Sequence, residues 1–261
     1  MIYAGCDLGT VAVKMVLLED NDICASETLA YKKIPKQAAL EVMETLLSKA
    51  GLTSDQIDYS IATGFGRKAI PFTDGDALEV VCLNRAIQWI NPKIHTVINA
   101  GGQSIRAFTI GDDGKIMEST NNEKCAAGTG KFIEVMARAL ELDLDQMSRL
   151  PFDSKAPVSI TSQCGVFAES EVITYVNEGQ ARADIAAGIS RSVASKVSSL
   201  ARRIGLTEQV AFIGGVAKNS GVVNDVETEL GLKLAEMNID PQIIGALGAA
   251  LIAREKHTAA K

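Results

Sequence analysis

A chain of 261 residues with a net charge of −6 is long enough for two compact lobes and presents no general basic surface for nucleic acid or anionic lipid. Nearly half of the residues are apolar, yet no apolar run approaches the ~20 residues of a membrane helix, and MIYAGCDLGT has no signal-peptide pattern, so no membrane span and a cytoplasmic location are expected. The only histidines are His95 and His257, the latter placed in a charged, alanine-rich tail, which largely excludes histidine-based triads and zinc sites.

The first predicted element is a hairpin. Cys6-Asp7-Leu8-Gly9-Thr10-Val11-Ala12-Val13-Lys14 runs from an apolar strand through a glycine turn into a second strand, which ends at Asp20-Asn21-Asp22. Ala39, Met43, Leu46, Leu47 and Ala50 then share one helical face, with Gly51 as the stop. Asp58 to Thr63 reads as a strand entering the turn Gly64-Phe65-Gly66. A second copy of the hairpin follows at Ile98-Asn99-Ala100-Gly101-Gly102-Gln103-Ser104-Ile105-Arg106 and runs on to Asp112-Asp113-Gly114. At one constant offset, Asn99 aligns with Asp7, Gly101 with Gly9, and Arg106 with Lys14. Two such lobes facing each other would place two glycine turns across a cleft.

Helices dominate the remainder. Phe132, Ile133, Met136 and Leu140 form one stripe; Ile185, Ile189, Val193, Val197, Leu200 and Ile204 form a longer one that stops at Gly205. Val210 to Ile213 is a strand feeding Gly214-Gly215, a helix opens near Asn219-Ser220, and Ile243 to Ile252 is a small-residue final helix. Alternating strands and helices argue for an α/β architecture.

Glycine lets backbone N–H groups approach phosphate oxygens, so the turns at Gly9, Gly101-Gly102 and Gly214-Gly215 invite a nucleotide. Asp7 is placed to hold hydrated Mg²⁺, Thr10 offers a hydroxyl, and Lys14 a positive charge. The alternative for each glycine is a tight turn alone. Walker and GxGxxG patterns are absent.

Five cysteines (Cys6, Cys24, Cys82, Cys125, Cys164) give an odd number without close pairing, which disfavours a disulfide framework. Cys6, Cys24 and Cys82 lie in apolar contexts and read as small core residues. Cys125 and Cys164 each follow a polar loop and precede a predicted amphipathic helix, where a helix N-terminus stabilises thiolate. They are either two loop or buried thiols, or half of a four-cysteine cluster completed by a two-fold mate; spacing alone does not choose.

Asp7-Leu8-Gly9-Thr10 with Lys14, Ala62-Thr63-Gly64-Phe65-Gly66-Arg67, Gly101-Gly102-Gln103, Lys124-Cys125-Ala126-Ala127-Gly128-Thr129-Gly130, Val166-Phe167-Ala168-Glu169-Ser170-Glu171, Gly214-Gly215-Val216-Ala217 and Gly245-Ala246-Leu247-Gly248 together resemble the activator ATPases of (R)-2-hydroxyacyl-CoA dehydratases and the ATPase subunits of benzoyl-CoA reductase. The resemblance spans essentially the whole chain. It implies two ribonuclease-H-like lobes of the actin, sugar-kinase and heat-shock ATPase superfamily with ATP between them: residues 1–94, residues 95–242, and a segment 243–261 packing back on the first lobe. It further implies a homodimer in which Cys125 and Cys164 of both subunits share one four-iron, four-sulfur cluster. Asp7, Gly9, Thr10, Val11, Ala12, Val13, Lys14, Gly101, Gly102 and Gln103 would surround the phosphates and Mg²⁺, with Asp7, Asn99 and Gln103 serving turnover to ADP. Gly214, Gly215, Ala217, Asn219 and Gln242 would lie at the adenosine. The implied activity is ATP-driven transfer of a low-potential electron, supplied by ferredoxin or flavodoxin, to an iron–sulfur dehydratase or reductase.

Two positions depart from that pattern. Asn99 stands where a carboxylate is expected, and Ser104 follows Gln103 where the activators carry Asp. Asn can orient a metal-bound water but cannot act as a general base. Two other readings compete: a small-molecule kinase of the same superfamily, weakened by the cysteine blocks and the lack of a sugar-binding insertion, and a non-catalytic ATP-sensing regulator.

Overall fold

The computed structural model describes residues 1–31, 34–122, 128–161, 164–207 and 209–259. The chain divides into two units, Met1–Lys93 with Met237–Lys261, and Ile94–Glu236.

The first unit contains β1 (Ile2–Leu8), β2 (Ala12–Glu19), β3 (Asp22–Ala30), α1 (Pro35–Ala50), β4 (Ile57–Thr63), β5 (Gly75–Asp76) and α2 (Glu79–Ile90). Its sheet runs β3-β2-β1-β4-β5, antiparallel from β3 to β1 and parallel from β1 to β5. β1 is buried along its whole length, which explains why it reads as a continuous apolar run instead of an alternation. β3 lies at the sheet edge, and Cys24 on it is exposed, with its thiol donating to Leu17 O. The expectation of a core cysteine holds for Cys6 and Cys82 but fails for Cys24, because an edge strand buries little of its length. Gly51 ends α1 in the left-handed region at φ 67° and donates to Leu47 and Ser48 carbonyls.

The second unit contains β6 (Thr96–Ala100), β7 (Ile105–Ile110), β8 (Ile116–Asn121), α3 (Gly130–Ala139), α4 (Leu144–Arg149), α5 (Gly165–Asn177), α6 (Arg182–Arg202), β9 (Val210–Ile213) and α7 (Ser220–Leu230). Its sheet runs β8-β7-β6-β9, again an antiparallel meander followed by a parallel strand. A single parallel bridge from Val210 to Leu234 occupies the place that β5 has in the first unit. One topology is thus built twice, in the ribonuclease-H-like pattern.

The stripes on α3 and α6 form the core of this unit, packed against β6, β7 and β9. α5 differs from expectation. Only Ala168 and Val172 are buried, while Val166, Phe167, Ile173 and Val176 are exposed, so the helix is apolar on more than one face. Among the described residues no helix is long and apolar enough to cross a membrane.

The last helix, α8 (Ile244–Ala259), belongs to the first unit and is buried from Ile244 to Ala253. Glycines admit it: a β-carbon on Gly5 would stand 1.9 Å from Ala246 O, and one on Gly248 would stand 1.8 Å from Cys82 O. His257 is not in a loose tail. It sits on α8 with its ring stacked on Tyr59 and edge-on to Tyr3.

Candidate nucleotide and cysteine sites

Parallel strands of α/β sheets present their carboxyl ends to ligands, and Asp7 lies near that end of β1. It is opposite Lys14 on β2 and opposite Thr63 on β4. Lys14 Nζ lies 2.7 Å from Asp7 Oδ2. The other carboxylate oxygen, Oδ1, is buried and accepts no hydrogen bond. Gly64, at φ 85°, covers that oxygen so closely that a β-carbon would stand 2.3 Å from it. The turn carrying Gly64 is tied down by Gly66 N donating to Leu8 O (2.9 Å), and by Arg67, which donates to Asp76 Oδ2 (2.9 Å) and to Gly64 O (3.5 Å).

The turn after Asp7 closes through Gly9 N donating to Ala12 O at 3.1 Å. Thr10 and Val11 are half-buried; Ala12 and Val13 are buried, and Val13 is held in the ladder between Leu8 and Leu29. Tyr31, which the sequence reading missed, donates its hydroxyl to Gly9 O and its amide to Val11 O. Burial raises the Tyr31 hydroxyl above its ordinary pKa; Lys14 acts in the opposite direction and Asp7 adds to the rise.

In the second unit Asn99 holds the corresponding position, opposite Arg106 on β7 and Ile213 on β9. Gly101 N donates to Ser104 O at 2.8 Å, the same closure as at Gly9. Gly214, at φ 90°, covers Asn99: a β-carbon would stand 2.6 Å from Asn99 Oδ1 and 2.4 Å from Ala100 O. Each unit therefore pairs a polar side chain with a positive-φ glycine delivered by the next parallel strand. Gln103 is exposed on its turn. Gly101 and Gly102 carbonyls accept from Gly130 N (2.9 Å) and Lys131 N (2.8 Å), so the second turn is bonded directly to the first residues of α3. Gly215 is exposed and Ala217 half-buried; Asn219 is the N-cap of α7, its Oδ1 accepting from Val222 N at 3.0 Å. Gln242 falls in the first unit, just before α8.

Cys164 is the N-cap residue of α5 and is exposed. As the N-cap it stands beside helix N–H groups that lack intrahelical partners. Gly165 lies against the Phe132 ring of α3, where a β-carbon would stand 3.5 Å from it. Cys125 lies outside the described residues. Burial pushes the Cys82 thiol up to about 12 and the Cys6 thiol higher still, so neither supplies a thiolate. Among the described residues no group of three or more His, Cys, Asp or Glu side chains is gathered to hold a metal ion.

The two prospective cofactors fit the residues differently. For Mg²⁺ the fit is Asp7 Oδ1, a buried carboxylate oxygen without a donor. For an iron–sulfur cluster the fit is an exposed thiol at a helix N-terminus.

Residues 4–253 match the model of the BadF/BadG/BcrA/BcrD ATPase family. The 2-hydroxyisocaproyl-CoA dehydratase activator of Clostridioides difficile is 40% identical over 254 residues, 97% of this chain and 95% of that one. A solved structure of the activator of 2-hydroxyisocaproyl-CoA dehydratase from Clostridium difficile, with bound ADPNP, superposes with a TM-score of 0.95 at 38% identity and covers 100% of this chain and 97% of that one. A ROK family glucokinase from Streptomyces griseus, 12% identical with a TM-score of 0.58 over 98% of this chain and 100% of that one, shares the fold alone.

Proposed function

The chain belongs to the BadF/BadG/BcrA/BcrD ATPase family, and on that premise we propose that it is the ATP-driven activator of an iron–sulfur dehydratase or reductase acting on acyl-CoA thioesters. The observation that carries this reading is the exposed Cys164 thiol at the N-terminus of α5, a helix that also exposes Val166, Phe167, Ile173 and Val176. A second copy of the chain would cover Val166 and Phe167 and bring its own thiols to the axis.

In this reading the glycine turns of both hairpins serve ATP. Asp7 Oδ1 holds Mg²⁺, while Gly9, Thr10, Lys14, Gly101 and Gly102 contact the phosphates. Val11, Ala12 and Val13 line the turn chiefly through main chain. Gly214, Gly215, Ala217 and Gln242 take the adenosine, and Asn219 serves there as well as capping α7. Gln103 orients the attacking water, and Asn99 holds a water without removing its proton.

Cys125 and Cys164 of two copies would together hold one four-iron, four-sulfur cluster, which supplies a one-electron carrier of low potential. What this chain adds is a bonded route between the sites. Gly101 and Gly102 grip the first turn of α3 through Gly130 and Lys131, and α3 packs through Phe132 on Gly165, beside Cys164. A phosphate that shifts the second turn therefore shifts both helices that begin after the cysteine blocks, a two-state bias of the kind nucleotides impose. Ferredoxin or flavodoxin would reload the protein in the cytoplasm.

Purification without oxygen tests the proposal. A brown dimer with about four irons and ATP turnover is expected, with Cys125→Ser and Cys164→Ser each losing iron and colour. Full iron content in either variant would reject shared ligation. One observation favours a second reading, an ATP sensor without turnover: the second hairpin carries Asn99, an amide that cannot act as a general base, at the position that matches Asp7 in the first. Tight ATP binding with no phosphate release would decide for it.

A further inference from the structure

Lys14 is already engaged. Its Nζ stands 2.7 Å from Asp7 Oδ2 and lies over the turn, where a β-carbon on Gly9 would be 2.9 Å away. Both side chains are largely withdrawn from solvent, 13% and 8% exposed, so water screens the pair little. The free oxygen Oδ1 is walled by the Gly64 main chain, and Gly245 at the start of α8 abuts Oδ2, where a β-carbon would stand 3.0 Å from it.

We infer that Lys14 is a specificity residue that keeps bare divalent cations off Asp7 and yields the carboxylate only when nucleotide phosphates give its ammonium a second anion. The inference rests on the reading of Asp7 as the metal-binding carboxylate.

The reasoning is electrostatic. A dication reaching Asp7 would meet an ammonium held on the same carboxylate, and like charges in a poorly screened site oppose each other strongly. One of the carboxylate's two oxygens is also engaged. A phosphate chain at the Gly9 turn reverses both effects, because it neutralises the ammonium and draws it away on its flexible four-carbon stem. The missing side chain at Gly9 leaves the space through which Nζ lies closest to the turn. Metal and nucleotide then assist each other reciprocally. The protein thereby selects the metal–nucleotide complex over the free ion.

Mn²⁺ binding, followed by the loss of the free-ion paramagnetic resonance signal, reads this without any turnover. Wild-type protein should bind Mn²⁺ weakly alone and tightly with ADP. Lys14→Met should bind bare Mn²⁺ on the order of tenfold more tightly or better, and ADP should then add less. Lys14→Arg, which keeps the charge, should retain the wild-type weakness. Because removing Lys14 strands a buried carboxylate, Lys14→Met should also melt at lower temperature and recover with added Mn²⁺. Equal bare-Mn²⁺ affinity in wild type and a folded Lys14→Met would overturn the inference. Asp7→Asn separates the two claims. If it leaves Mn²⁺–ADP binding intact, the metal role of Asp7 itself falls; if it removes that binding while Lys14→Met behaves as wild type, only the exclusion role falls.

Discussion

Replacing Gly248 by alanine tests whether α8 is positioned by main-chain contact. A β-carbon there would stand 1.8 Å from Cys82 O and 2.4 Å from its carbonyl carbon. Ordinary contact begins near 3.4 Å, so α8 and α2 must separate by roughly 1.6 Å. The obstacle is backbone, and no rotamer change relieves it. Overpacking costs about 1–3 kcal/mol where side chains yield; here at least about 3 kcal/mol is expected, since a helix buried from Ile244 to Ala253 must move as a unit. For a chain of this size that lowers Tm by about 6–12 °C. Nucleotide affinity should fall with it, because Gly245 on the same helix abuts Asp7. Urea unfolding followed by circular dichroism measures the loss, with Gly51→Ala as comparison. Gly51 has nothing within 4 Å of a β-carbon but sits at φ 67°, so its alanine variant costs about 1 kcal/mol through backbone strain alone. A loss for Gly248→Ala no greater than for Gly51→Ala refutes the reasoning.

Three further outcomes are expected. Asn219→Ala removes the acceptor for Val222 N and should lower stability by about 1 kcal/mol in the same unfolding assay; an unchanged midpoint denies the cap its role. Asn99→Asp supplies a carboxylate in the second hairpin and should raise ATP hydrolysis on the order of tenfold or more in a phosphate-release assay, whereas an unchanged rate means that the substitution is neutral for chemistry. Asp184 carries a carboxyl held below its ordinary 3.8 by the Ser154 hydroxyl first, then by the Ala156 and Lys155 amides. A depressed folded pKa stabilises fully above the ordinary value and is lost as pH falls below it. Melts from pH 2 to 7 should show Asp184→Asn less stable than wild type at neutral pH and converging on it below pH ~4. A constant gap down to pH 2 contradicts this.

The hairpin repeat was legible because its determinants are local: a Gly turn, a polar residue before it and a cation after it recur at one offset, and both copies close through the same bond, Gly9 N to Ala12 O and Gly101 N to Ser104 O. The partnership of Gly64 with Gly214 was not legible in the same way. Each follows the parallel strand beside its hairpin, yet helices of different number intervene, so no constant offset links them. Apolar stripes on α1, α3 and α6 announced buried faces, since burial on one side imposes a period. α5 defeated that logic: four of its apolar residues, Val166, Phe167, Ile173 and Val176, face outward while only Ala168 and Val172 are buried. Tyr31 gave no signal because it reaches Gly9 through the sheet, from the far end of β3. Cys24 and His257 were misjudged for a related reason, as composition around a residue does not reveal whether it lies on an edge strand or between two aromatic rings.

The order of synthesis gives α8 a final consequence. Domains emerging from the ribosome usually fold in the order in which they are made. Here β1 meets Ala246 and Ala250 through Gly5, and those residues are translated only after the whole of 94–236. The earlier-made sheet must therefore wait, with one apolar face bare, while the later-made unit can already close. Nascent chains halted before residue 244 should expose that face to chaperones, and a stop codon there would cripple the lobe encoded first.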